Sequence, residues 1–115
     1  MIIVAIWANF FVSLISAGWA VVALYRPTLL SQSIGGSTDN RFFVFMYAAR
    51  SIPFGILTGV LPLLLRGLPT AILLFAAALV QVIDVAIAVA RKRGGMAAGA
   101  SVAAVVHVLC GMALL

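Results

Sequence analysis

Apolar residues fill the chain in four long runs, 2–25, 41–65, 70–90 and 96–115, separated by short polar stretches. Each run holds about the 20 residues that a helix needs to cross a hydrocarbon core ~30 Å thick. The pattern therefore predicts four transmembrane helices rather than amphipathic helices around a water-soluble core. The connectors, 26–40, 66–69 and 91–95, are too short to form a soluble domain. The expected fold is a single all-α domain over 1–115, a polytopic antiparallel bundle of four transmembrane helices. The first run starts Met1-Ile2-Ile3 without a basic segment and exceeds the apolar stretch of a signal peptide, so it is expected to remain as a helix. Helix punctuation agrees with these bounds: Pro27 follows the first run, and Ser37, Thr38 and Asp39 can cap the second. Pro69 opens the third and Gly94-Gly95 is expected to end it. Pro53 falls inside the second helix, which then needs a neighbour to satisfy a freed carbonyl.

Composition sharpens this picture. Of 115 residues, 66% are hydrophobic and 8% charged, against ~45–50% and ~25% in ordinary soluble domains. Water-soluble, disordered, collagen-like and disulfide-rich classes are set aside, and the single Cys110 carries no redox signal. The net charge of +5 reads as an orientation signal rather than a nucleic-acid footprint. Arg26, Arg41, Arg91, Lys92 and Arg93 flank the first and third connectors, whereas the second has Arg66 alone. The basic connectors are expected to face the cytoplasm, with both termini outside a cell inner (plasma) membrane. Arg91-Lys92-Arg93 suits anionic lipid headgroups, and Trp7, Trp19 and Tyr25 suit the aromatic belts.

Helices in lipid associate through close packing of small residues. Gly55 and Gly59 form a GxxxG pair in the second helix, while Gly99, Ala103, His107 and Gly111 recur every four residues in the fourth. Ser13, Ala17 and Ala20 in the first helix, and Ala77 and Ala88 in the third, offer matching surfaces. The same small-residue faces allow a homodimer.

The polar residues at membrane depth are the candidates for chemistry. They are Arg50, Gln81, Asp84 and His107, with Tyr47, Ser51, Ser13 and Asn9 as weaker members. Counting ~1.5 Å of rise per residue from the inner ends, Arg50 lies about 13 Å deep, Asp84 about 10 Å, Gln81 about 15 Å and His107 about 16 Å. An unpaired Arg or Asp at the bilayer centre costs at least ~2.5–3.5 kcal/mol. An Arg50/Asp84 ion pair is therefore expected, completed by Gln81 and Tyr47 and adjoined by His107; Arg91, on the face of Asp84, is a rival partner. Two readings stay open: the cluster fixes which helices meet, or it lines a pocket for an apolar ligand with one polar feature. In the second reading Asp84, Arg50, His107 and Tyr47 are the catalytic candidates, and Gln81, Asn9, Trp19, Ser13 and Phe54 the ligand contacts. Phe42, Phe43, Phe45 and Phe54 crowd the helix of Tyr47, where aromatic faces could stabilise a carbocation. No phosphate-binding loop, metal-ligand spacing or nucleophile elbow occurs, so neither cofactor nor metal is expected.

The order Tyr47-Ala-Ala-Arg50-Ser-Ile-Pro53-Phe-Gly55, Gln81-Val-Ile-Asp84, a basic glycine turn and His107 resembles a family of small four-helix membrane proteins of unknown function, over about 41–115. Arg50, Asp84 and His107 match its core. More loosely, the plan is similar to sterol-isomerase-like and DoxX-like proteins and to small membrane terpene cyclases. Those resemblances imply an isoprenoid or sterol ligand and acid-initiated cyclisation or isomerisation, with Asp84, oriented by Arg50, exchanging a proton with it. The sterol isomerases have more than one membrane carboxylate, whereas this chain has one, so His107 would have to supply the second acid/base. The alternative is a non-catalytic accessory or chaperone subunit in which the ion pair is structural. Leu29, Leu30 and Ile34 could make the first connector an interfacial lid or leave it an ordinary loop.

Overall fold

The computed structural model describes residues 1–26 and 40–115, with residues 40, 41 and 43 described by their backbone alone. Four helices and no strand occur among them: α1 Ile2–Tyr25, α2 Asn40–Leu64, α3 Leu68–Ala90 and α4 Gly94–Leu114. All four include a stretch long and apolar enough to cross a membrane. Pro27, Ser37, Thr38, Asp39 and the suggested lid residues lie outside the described residues.

The helices associate unevenly. α1 packs extensively on α2, and α3 on α4; α1 and α4 join the two pairs, while α2 and α3 touch little. Small residues set the α1–α2 contact. A Cβ added at Gly55 would lie 3.1 Å from both the Ala17 Cβ and the Ser13 carbonyl, and one at Gly59 would lie 3.1 Å from the Ser13 Cβ. The expected GxxxG pair thus meets the expected Ser13/Ala17 stripe, and the contact moves back along α2 as it advances along α1. At one end Ile6 packs with Ala71, Leu74, Cys110 and Leu114, with Ile2, Ala5 and Phe75 against them. At the other, Ala23 and Val44 form a smaller cluster with Leu24 and Tyr47.

Two local details differ from the sequence reading. The α4 stripe is in contact only in part: Gly111 faces the Phe75 ring, 2.8 Å from where a Cβ would sit, whereas Gly99 meets nothing within 4 Å. Gly94-Gly95 does not end α3 but opens α4. Lys92 ends it instead, with φ 57° in the left-handed region. The Arg93 N–H donates to the Ala88 carbonyl and the Lys92 N–H to that of Val89, the paired closure of a Schellman turn. At the other end of α3, Gly67 at φ 113° turns the chain and Pro69 occupies the first turn. Pro is favoured there because an N–H would have no helical partner.

Candidate functional site

Pro62 lies inside α2, as does Pro53. Without an N–H, Pro62 cannot bond the carbonyl four residues back, that of Thr58. Asn9 of α1 takes over: its Nδ2 donates to the Thr58 carbonyl at 2.7 Å. A carbonyl only accepts, so the amide orientation is fixed and Oδ1 faces the other way. There it lies 2.7 Å from His107 Nδ1, which must carry the proton and donate it. The Thr58 hydroxyl donates to the Gly55 carbonyl at 3.2 Å and lies 3.3 Å from the Ser13 hydroxyl. Asn9, Ser13, Thr58 and His107 are all buried. One polar cluster therefore ties α1 to both α2 and α4.

Arg50 and Asp84 meet elsewhere. Arg50 Nη2 lies 3.5 Å from Asp84 Oδ1, with the two side chains 49% and 28% exposed. Side chains on a helix lean toward its N-terminus. Arg50 accordingly reaches back toward the Asn40 end of α2, and Asp84 away from the Arg91 end of α3, so they close the small difference in their depths. The Arg50 guanidinium also sits 5.9 Å from the centre of the Tyr47 ring, in the range of a cation–π contact. Gln81, one turn before Asp84, is half-buried, as is Phe54, one turn after Arg50.

The ion pair and the buried cluster are two sites, not one. Counting rise from the inner ends places His107 level with Arg50 and Asp84, but that count assumes that all helices start flush. His107 is instead held by Asn9 at the level of Thr58, eight residues beyond Arg50 on α2 and so about 12 Å further along its axis. Its proton goes to Asn9, and Asn9 and Ser13 serve helix contact rather than the ion pair. Trp19 is about half exposed on α1 and takes no part in the hydrogen bonds of either site. Among the described residues no three His, Cys, Asp or Glu side chains gather to hold a metal ion.

Thr58 and Pro62 are the members that the sequence reading missed. Their signal was available: a proline four residues after Thr58 marks a carbonyl in need of an outside donor. The side chain of Phe43 lies outside the described residues, while Phe42 and Phe45 are exposed.

No protein-family model matches the chain, and neither the curated proteins nor the solved structures include a match to it.

Proposed function

We propose that the chain is a multi-pass membrane protein, an antiparallel four-helix bundle whose open α2–α3 seam binds an isoprenoid- or sterol-like molecule at the Arg50/Asp84 pair. The observation that carries this reading is a charged pair, Arg50 half exposed and Asp84 28% exposed, between two helices that touch little. Four apolar helices and a body 44 Å long, close to the ~40–45 Å of a bilayer with its headgroups, support the membrane assignment. In lipid, an ion pair facing acyl chains is costly unless a polar group covers it. A ligand with one polar end and an apolar body supplies that cover.

Binding is favoured over acid-initiated cyclisation or isomerisation. Asp84 has Arg50 beside it, and His107, the second acid/base that the isomerase resemblance implies, is bonded to Asn9. In this reading the basic 91–93 turn faces the cytoplasm across the inner (plasma) membrane and both termini lie outside.

Photocrosslinking tests the site. Purified protein in nanodiscs is labelled with diazirine analogues of geranylgeraniol and cholesterol. Labelling should concentrate on α2 and α3 peptides, and it should fall at least fivefold in the Arg50→Gln/Asp84→Asn double variant. Labelling spread over all four helices and unchanged in that variant would remove the proposed site.

A further inference from the structure

The chemistry of the seam narrows its ligand, on the reading above that it takes an isoprenoid- or sterol-like molecule. We propose that the ligand's polar group is an uncharged hydroxyl that bridges Asp84 and Arg50, donating to the carboxylate and accepting from the guanidinium.

Three observations lead there. The first is the spacing of the pair. At 3.5 Å the Nη2–Oδ1 contact is longer than the ~2.7–2.9 Å of a charge-assisted hydrogen bond. The pair is close enough to neutralise its charges, yet its hydrogen-bonding capacity is far from used: a carboxylate offers about four lone-pair sites and a guanidinium five N–H groups. Tyr47 covers a ring-facing side of the guanidinium at 5.9 Å.

The second observation is net charge. The Arg50/Asp84 pair sums to zero, so a phosphate drawn to Arg50 is repelled by Asp84, and an amine drawn to Asp84 is repelled by Arg50. Only a neutral group that both donates and accepts satisfies the two residues together. A hydroxyl does so through one atom. An ether or a ketone accepts from Arg50 but leaves Asp84 without a donor.

The third is depth. Arg50 is ten residues from the start of α2 and Asp84 six from the end of α3, about 15 Å and 9 Å along their axes. A phosphorylated headgroup would have to leave the interface to reach them, at the cost of desolvating its charge. An alcohol at the end of an apolar body reaches that level readily. Phe54, Leu57 and Leu61 follow Arg50 at helical spacing on α2, so the same helix offers an apolar path outward for the body.

Equilibrium binding of tritiated ligands to the full chain in phosphatidylcholine nanodiscs tests this. Geranylgeraniol, its methyl ether and its monophosphate form one series; cholesterol, its methyl ether and its phosphate form another. In at least one series the alcohol should bind about tenfold or more tightly than both derivatives, since a site that pairs a hydroxyl rejects an analogue lacking it. Asp84→Asn, which leaves the seam with a net positive charge, should narrow the gap between alcohol and phosphate by about tenfold. If in every series that binds saturably an ether or phosphate matches its parent alcohol on the native chain, the hydroxyl assignment fails while the lipid-binding reading stands. Absence of saturable binding in both series overturns the two together. The native-chain comparison needs no variant, so a misfolded Asp84→Asn protein would not shelter the proposal.

Discussion

A single amide holds three helices together. Asn9 gives its N–H to a carbonyl that Pro62 has freed on α2 and accepts the Nδ1 proton of His107 on α4. Replacing it with leucine leaves both groups buried without partners, each such loss costing ~1–3 kcal/mol. Asn9→Leu should therefore lower stability by about 2 kcal/mol or more in reversible SDS unfolding. The penalty has a traceable cause: with Pro62→Ala, residue 62 regains an N–H and α2 can satisfy Thr58 itself. In that background Asn9→Leu should cost about 1 kcal/mol less, a coupling that a double-mutant cycle measures directly. Additive effects would break the link between proline and amide. The components were legible in the sequence, as Asn9 and His107 stood out as polar groups in apolar runs and Pro62 was plain to see. Their pairing was not, because it depends on how helices far apart in sequence are staggered. Rise counted within each helix says nothing of that stagger, and it placed His107 beside the wrong charges.

Helix contact separates glycines that look alike in the sequence. Gly55 approaches α1 so closely that a Cβ would press on backbone as well as side-chain atoms, whereas Gly99 faces open space. Gly55→Val should thus force α1 and α2 apart and cost about 2 kcal/mol, as overpacking does. Gly99→Ala should hold or raise stability by up to about 1 kcal/mol through helix propensity. The same SDS titration reads both. The GxxxG pair and its Ser13/Ala17 counterpart could be read in advance because small residues at a four-residue period have one strong structural use in lipid. The four-residue stripe of α4 overstated its contact, since periodicity defines a face but not how far along the helix a neighbour extends. At the end of α3, two adjacent glycines masked the residue that turns the chain. Lys92 adopts the left-handed conformation that glycine takes without strain. Lys92→Gly should stabilise the protein by about 1 kcal/mol, and the β-branched Lys92→Val should destabilise it by at least as much.

The whole molecule consists of two well-packed helix pairs joined through α1 and α4, with the Arg50/Asp84 pair across the side where packing is sparse. This asymmetry separates what holds the fold from what the fold presents. The buried Asn9 cluster and the Ile6–Leu74–Cys110–Leu114 core lie on the joined side. Replacing a whole ion pair held away from water by neutral groups is often nearly neutral for stability, because the cost of desolvating the charges offsets their attraction. The neutral Arg50→Gln/Asp84→Asn variant should therefore unfold within about 1 kcal/mol of the native protein, while on the proposed reading it loses ligand. A loss as large as that of Asn9→Leu would make the pair a structural tie instead. The direction of insertion can be checked without disturbing either site. Cys110 is the chain's one cysteine and is fully buried, so a Cys110→Ala background is close to native. Leu65→Cys and Gly95→Cys place thiols at exposed positions at the ends of α2 and α4 while leaving every basic residue intact. With the five basic groups Arg26, Arg41, Arg91, Lys92 and Arg93 at the first and third connectors against Arg66 alone at the second, a membrane-impermeant maleimide should label Leu65→Cys in intact cells. Gly95→Cys should react only after permeabilisation. The reverse pattern would put the ion pair nearer the outer leaflet, with the ligand entering from that side of the bilayer.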